Sequence, residues 1–360
     1  MRACVLTAPG GLQHLKITDV PDPPAPQAGE VRVAIRAAAL NHLDLFVAEG
    51  MPGGAERFPH IVGADGAGVV ESVGSGVTAV QPGDRVMLNP GISDYTCEFC
   101  RAGEHSLCVA YKLLGEDLPG TLAELITVPA HNLARIPALS PELTWAEAAA
   151  FSLVTLTAWR MLVTRAQLRA GETALVWGIG GGVSLTALRI AKLLGARVIA
   201  TSSHDGKLAA AKQLGADVTL NHRTQKVAQE VRTLTAKRGV DVVVENVGAA
   251  TWDDSLRCLR RGGRLVTCGA TSGAEVGLDV RRLFWHHWSI LGSTMGNAAE
   301  YAEVVRRLGK GELRPVVDRV YPWEQAPAAF ERLAKGEQFG KVVVEVGAAE
   351  PPVTPSGMAI

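Results

Sequence analysis

Thr173-Ala174-Leu175-Val176-Trp177-Gly178-Ile179-Gly180-Gly181-Gly182-Val183-Ser184 is an apolar strand running into a cluster of glycines. After it, Leu185, Leu188, Ala191 and Leu193-Leu194 recur at helical spacing, and Arg197-Val198-Ile199-Ala200-Thr201 is a second apolar strand. Strand, glycine turn, helix and strand in this order form one unit of a parallel sheet covered by helices. Glycine there lets the backbone turn sharply and approach a pyrophosphate, and the helix N-terminus adds partial positive charge. Gly178, Gly180, Gly181 and Gly182 are therefore predicted to cradle a dinucleotide. A loop needing positive φ for its own turn would carry the same glycines; the strand–loop–helix–strand setting is what favours a nucleotide.

Outward from this unit the pattern continues. Lys207 to Leu214 reads as a helix, and Val240–Glu245, Gly263–Thr267 and Ser289–Gly292 read as further strands. NAD sites usually carry an acid about 20 residues beyond the glycines, at the end of the second strand. Here that strand ends in Thr201-Ser202-Ser203-His204, and no acid comes before Asp205. Ser202 and Ser203 can donate to a ribose 2′-phosphate and Lys207 can neutralise it, which favours NADP(H). Serines that only cap the next helix are the alternative.

The first 150 residues have a different texture. Glu30-Val31-Arg32-Val33-Ala34-Ile35-Arg36-Ala37 alternates polar and apolar, as a half-buried strand does. Pro82-Gly83-Asp84 turns into the strand Arg85–Leu88, and frequent glycines suggest a barrel-like β domain. Within it Asp94, Cys97, Cys100 and Cys108 form D-x2-C-x2-C-x7-C. Three thiolates and a carboxylate can surround Zn²⁺ tetrahedrally, and a closed shell leaves no position for substrate, so such a zinc is structural. A lobe that has lost its metal and keeps reduced thiols is the alternative. Cys4, Cys258 and Cys268 lie in apolar patterns and read as buried, inert residues.

Composition bounds the partners. Lys plus Arg equals Asp plus Glu at 36 each, so no global field attracts nucleic acid or an anionic membrane. Apolar residues make up 47% and charged residues 20% of 360, which suits a globular protein of about two domains. Apolar stretches break before the roughly 18–20 residues of a membrane span. The start, Met1-Arg2-Ala3-Cys4-Val5-Leu6, reads as a strand and not as a signal peptide. A small-molecule substrate and a cytoplasmic location are expected. Residues 348–360, with three prolines, read as a mobile tail.

Together these features resemble the medium-chain dehydrogenase/reductase superfamily, which includes zinc alcohol dehydrogenases and zinc-free quinone oxidoreductases. The resemblance rests on Gly63-Ala64-Asp65-Gly66-Ala67-Gly68-Val69-Val70-Glu71-Ser72-Val73-Gly74, on Pro82-Gly83-Asp84-Arg85-Val86, on the cysteine lobe, on the glycine loop and on Gly340-Lys341-Val342-Val343. It implies an α/β fold: a Rossmann doubly wound parallel sheet of order 3-2-1-4-5-6 over 155–296, and a GroES-like β-barrel domain over 1–154 and 297–347. The zinc lobe would span 91–112. It also implies a cleft between the two domains, in which Thr157, Val183, Val247, Gly269 and Lys341 complete the cofactor contacts. His222 would stand where relatives often place a Tyr at the adenosine end; a solvated loop is the alternative. Ser289–Ser293 would be an edge strand inviting a second copy, giving a homodimer or homotetramer.

The departures from the family decide the chemistry expected. Where zinc alcohol dehydrogenases have a catalytic Cys, a His-Glu pair and a third ligand, this chain has Asn41, Ala64-Asp65 and Leu153. No open catalytic zinc site is built from that set. A different site from His42, Asp44, His60 and Asp65 is a weaker option. Asn41 with Asp44 resembles the Asn-x-x-Asp of quinone-oxidoreductase-like members, and Asn41, Asp44 and Asp65 are the expected catalytic group. Asn41 as a helix N-cap is a second role compatible with the first. The chemistry expected is NADPH-dependent hydride transfer to an activated C=C bond or quinone. Alcohol/carbonyl interconversion and a non-catalytic NADPH-binding module are the alternatives. Phe46, Leu153, Trp159, Phe284 and Trp285 are expected as cleft walls, and His286-His287 as structural.

Overall fold

A computed structural model describes residues 1–50, 58–139 and 141–347. The expected tail, 348–360, lies outside the described residues. Two sheets carry most of the fold. The larger is built on the long strand Glu30–Ala39, which pairs antiparallel with Asp65–Val73, Leu125–Pro129 and Lys341–Glu345. Asp65–Val73 extends to Arg85–Leu88, and Lys341–Glu345 pairs in parallel with Val317–Tyr321. The alternation seen in Glu30–Ala39 is real: Val31, Val33 and Ile35 are buried and face one core with Leu6, Val70, Val86, Phe330 and Val344, and past a register irregularity between Ile35 and Ala37 the buried Ala37 packs into the other core. Gly68 lies so close to its partner strand that a Cβ would sit 2.1 Å from the Ala34 carbonyl oxygen, so no side chain fits there.

The second sheet has six parallel strands in the order Val218–Asn221, Arg197–Ser202, Thr173–Val176, Val240–Glu245, Leu259–Thr267, Ser289–Gly292. Numbered along the chain this is 3-2-1-4-5-6. The two central strands, Thr173–Val176 and Val240–Glu245, are buried along their whole length and mostly apolar, as parallel strands covered on both faces are. Leu259–Thr267 begins four residues earlier than the sequence suggests, and the second helix covers Asp205–Gln213, opening earlier at Asp205. Ser289–Gly292 is paired on one side only, as an edge strand. No helix among the described residues is long and apolar enough to cross a membrane.

Sheet register creates the site. Asp65 is opposite Ala39, Val343 is opposite Ala39 on the other side, and the Leu40 amide donates to the Val342 carbonyl at 2.9 Å. Asn41, Asp65 and Lys341 therefore emerge at the same end of three adjacent strands, and that end faces the glycine loop of the second sheet.

Candidate active site

A cleft of about 950 Å³ separates the two sheets. One wall is the glycine loop. Gly180 has φ +157°, and a Cβ on it would meet the Lys207 Cδ at 3.0 Å; Gly182 opens the helix Gly182–Leu193, where a Cβ would strike Val154 Cγ1 at 2.8 Å and Lys341 Cδ at 2.9 Å. These glycines let the loop pack tightly against Lys207, Val154 and Lys341 at a helix N-terminus, where backbone amides can receive a pyrophosphate. Ser184 is fully buried and donates to the Trp177 carbonyl at 2.7 Å, closing the loop from within.

All thirteen residues expected at the cofactor line this cleft: Thr157, Gly178, Gly180, Gly181, Gly182, Val183, Ser202, Ser203, Lys207, His222, Val247, Gly269 and Lys341. Two are placed differently from their expected roles. The Lys207 ammonium is bound by the Gly336 carbonyl beside the glycine loop, away from open solvent, and burial lowers its pKa. Lys341 is 3% exposed and turns its ammonium toward Asn41 and Asp65. His222 is exposed, its ring 6.0 Å from that of Trp177 and its Nδ1 3.3 Å from the Thr201 hydroxyl. Arg223, next to it, also lines the cleft.

The opposite wall holds the expected catalytic group. Asn41 caps the helix His42–Glu49: its amide N–H donates to Asp44 Oδ2 at 2.7 Å. Its side chain is fully engaged as well. Nδ2 donates to the Ala39 carbonyl at 3.2 Å and to Asp65 Oδ2 at 3.1 Å, and Oδ1 accepts from Lys341 Nζ at 2.5 Å. Asp65 also accepts from Lys341 Nζ at 2.9 Å and, through Oδ1, from the Leu153 backbone N–H at 2.8 Å. Asp44 and Asp65 are fully buried and neither lines the cleft, so within the expected catalytic group Asn41 alone lines it. Asp44 Oδ1 has no hydrogen-bond partner, and burial pushes its pKa up to about 7. His42, which lines the cleft, has its pKa lowered by burial and then by the Lys341 charge. His60 spends its Nε2 on the Gly115 carbonyl at 3.1 Å. Among the described residues His42, Asp44, His60 and Asp65 do not gather into a metal-holding cluster.

One such cluster does form. The ligand atoms of Asp94, Cys97, Cys100 and Cys108 lie within 4.8 Å of one another. The lobe is shaped by its own backbone. Asp94 Oδ1 accepts from the Thr96 and Cys97 amides, which hold its carboxyl well below the usual range. The Asp94 and Ala110 amides point at the Cys108 sulfur at 3.3 and 3.4 Å. Three thiols and a carboxylate at these separations fit a tetrahedral zinc.

The cleft walls differ from expectation. Phe46 and Leu153 line the cleft, but Trp159 is buried beneath Arg307, and Phe284 and Trp285 are 62% and 65% exposed on the outer surface. Cys4 and Cys258 are buried as expected, whereas Cys268 is only half-buried and lines the cleft. Tyr111, Glu116, Asn246, Thr271 and Met295 line it without having been singled out from the sequence. Tyr111 and Glu116 follow the cysteine lobe, and no local pattern shows that the lobe folds back over the cleft. The His286 ring stacks 4.9 Å from that of Trp288.

A Rossmann sheet with a glycine cradle, facing a β-barrel across a deep cleft, defines a dinucleotide-dependent oxidoreductase. Residues 27–138 match the alcohol dehydrogenase GroES-like domain and residues 182–310 the zinc-binding dehydrogenase domain. The chain is 31% identical to the acryloyl-coenzyme A reductase of Metallosphaera sedula over 345 residues, 96% of this chain and 99% of that one. It is 33% identical to an alcohol dehydrogenase of Geobacillus stearothermophilus, over 88% of this chain and 92% of that one. A crystal structure of an NAD-dependent alcohol dehydrogenase superposes with a TM-score of 0.92 at 45% identity, covering 96% of this chain and all of that one. The chain belongs to the medium-chain dehydrogenase/reductase superfamily and is an oxidoreductase that uses a nicotinamide cofactor.

Proposed function

We propose that this enzyme uses NADPH to reduce an activated C=C bond or a quinone, without a catalytic zinc. The observation that carries the reading is the floor of the cleft. By the resemblance, Asn41, Ala64 and Leu153 fall at the zinc-ligand positions of zinc alcohol dehydrogenases, and the Lys341 ammonium is bonded to Asn41 and Asp65. Alcohol oxidation must remove a hydroxyl proton, a task zinc eases by lowering that pKa. Hydride addition to a conjugated C=C bond needs only stabilisation of the negative charge that reaches the carbonyl oxygen. The resemblance to acryloyl-coenzyme A reductase supports the same reaction class.

Bound nicotinamide supplies the hydride. The chain's residues orient it: the glycine loop meets the pyrophosphate, and Thr157, Val183, Val247 and Gly269 line the inner cleft. Ser202, Ser203, His204 and Arg223 line the adenosine end, which suits a 2′-phosphate. We read residues 1–154 and 297–347 as the substrate-side unit and 155–296 as the cofactor unit. Zinc in the Asp94–Cys108 lobe is structural, and a second copy of the chain covers the edge strand Ser289–Gly292.

Alcohol/carbonyl interconversion is the second reading, favoured by the alcohol dehydrogenase relatives. Two measurements on one preparation separate them. NADPH oxidation is followed with enones, enals and quinones, NAD(P)⁺ reduction is followed with alcohols, and zinc is counted per chain. Turnover confined to the first group with one zinc supports the proposal. Alcohol turnover with two zincs overturns it.

A further inference from the structure

A second hollow, of about 490 Å³, carries one sign of charge on its walls. It is lined by Arg232, Lys237, Arg238, Arg260, Arg261 and His286, with one apolar residue and no carboxylate. These residues lie where the strands Val240–Glu245 and Leu259–Thr267 begin, whereas the glycine loop follows the end of Thr173–Val176. The three strands run parallel, so the hollow is at the opposite end of the sheet from the cofactor cleft, and no residue lines both. The turn after the helix Val227–Leu234 shapes it, with two non-glycine residues in the left-handed region, Ala236 at φ 48° and Lys237 at φ 65°. Arg232 ties this turn to the next strand: its guanidinium donates to the carbonyls of Lys237 at 2.6 Å, Arg257 at 3.2 Å and Leu259 at 3.5 Å. Carbonyls satisfy its donors and leave its charge in place.

The charge balance points to a ligand. Asp241 bonds to Arg238 at 2.7 Å and to Arg260 at 2.5 Å, and Glu172 is 3.7 Å from Arg260 and shared with Arg264. Among the described residues no carboxylate pairs with Arg232, Lys237 or Arg261. Lys237 and Arg261 are exposed, so their donors are open to whatever enters. The Lys237 ammonium makes no hydrogen bond among the described residues, and the Arg261 guanidinium makes one, to the Trp285 carbonyl at 3.4 Å. His286 registers the field: its pKa is lowered by burial and then by the charges of Arg261, Arg282 and Arg232. The excess stops at the hollow. Beyond it Arg257 pairs with Asp253 and Arg264 with Glu172, and the whole chain is neutral. Nucleic acid calls for an extended basic stripe. A confined basic hollow, within the roughly 300–1,000 Å³ of small-ligand sites, fits a compact anion instead. A phosphate monoester brings a charge of about −1.5 to −2; three uncompensated cations match more than that, as a diphosphate supplies.

We propose that this hollow is a second ligand site, separate from the cofactor cleft, and that it binds a diphosphate group, free or carried on a nucleotide. Lys237 and Arg261 supply charge-assisted hydrogen bonds at its open side, and Arg232 supplies fixed positive charge beneath. The site stands whichever reaction the cleft performs, because it shares no residue with it. A ligand held there stabilises the native fold by mass action.

The test is a calorimetric titration of inorganic pyrophosphate into the enzyme saturated with its nicotinamide cofactor, which closes the glycine loop to phosphate. Sodium chloride of matched ionic strength is the reference, and K237M/R261M is titrated beside the parent chain. The expected result is saturable binding at one site per chain, weaker by about tenfold or more in K237M/R261M, the loss of hydrogen bonds from charged donors. Cofactor affinity should be the same in both, and pyrophosphate should raise the Tm of the parent more than that of the variant. ADP is titrated in parallel: affinity equal to that of pyrophosphate assigns the hollow to a free diphosphate, and tighter binding assigns it to a nucleotide. No saturable binding beyond the chloride reference overturns the proposal, as does equal pyrophosphate affinity in parent and variant. A parent chain that binds a short DNA duplex and not pyrophosphate overturns it in favour of a nucleic-acid surface. Should K237M/R261M not fold, K237M alone decides, because that ammonium bonds to no other part of the described chain.

Discussion

At the scale of single residues, the buried carboxylates on the barrel side behave in opposite ways. Asp65 has three donors and sits beside a cation; Asp44 has one unpartnered oxygen and a pKa pushed up to about 7 by burial. A folded pKa above the unfolded value of about 3.9 means the native state holds the proton longer. Asp44 therefore contributes stability that is fully present below about pH 4 and lost as pH rises toward about 7. D44N keeps an acceptor for the Asn41 amide and removes the titration. Thermal denaturation across that window should show a shallower decline for D44N than for the parent chain; parallel curves would place the Asp44 pKa in the ordinary range. Arg223 is the residue to test for cofactor choice. R223A should raise the KM for NADPH by about tenfold, the loss of roughly 1.4 kcal/mol of charge-assisted binding, and leave that for NADH unchanged. Equal effects on both would detach Arg223 from the 2′-phosphate.

At the scale of elements, the cysteine lobe is tied to the rest of the molecule by a buried ion cluster. Arg160 is 4% exposed and donates to Glu300 at 2.8 Å and to Glu104, which lies in the lobe between Cys100 and Cys108. Thr164 also donates to Glu300, and the Ala298 amide donates to His105 Nδ1 at 3.3 Å. Removing one partner of a buried pair costs about 3–5 kcal/mol, because the other is left charged and dry. R160M should lose about that much in denaturant unfolding, and R160M/E300Q should recover part of it. A loss below about 1 kcal/mol would show that the cluster behaves as a solvated surface pair. The lobe's metal is a separate question at the same scale: C97A should release the zinc counted in the parent protein, because three ligands cannot close a structural shell.

At the scale of the whole molecule, the outer edge of the second sheet is exposed. Ser289–Gly292 has a free side, and the preceding helix Val280–His286 carries Val280, Phe284 and Trp285 at 61%, 62% and 65% exposure. An unpaired strand flanked by large apolar side chains is a surface that invites another copy. F284S/W285S should shift the oligomer proposed above toward monomer in light scattering. A monomeric parent chain would remove the premise.

The sequence by itself determined what depends on neighbours a few residues apart. The parallel-sheet unit at 173–201, the alternating strand at Glu30–Ala37 and the cysteine spacing at 94–108 could be read because hydrophobic period, turn chemistry and ligand spacing are local properties. Ser202, Ser203 and the glycines could be placed because they stand at fixed offsets from a strand end. Only the tertiary structure decided what depends on register and on distant ends meeting. Asn41 and Lys341 are 300 residues apart, and only strand pairing through Ala39, Asp65 and Val343 brings them together. The same reason explains the misplaced aromatics. Phe284 and Trp285 have the composition of a cleft wall, but the direction in which their helix faces is set by how it docks on the sheet. The pairing of the Lys341 ammonium with Asn41 and Asp65 is likewise invisible to any local pattern.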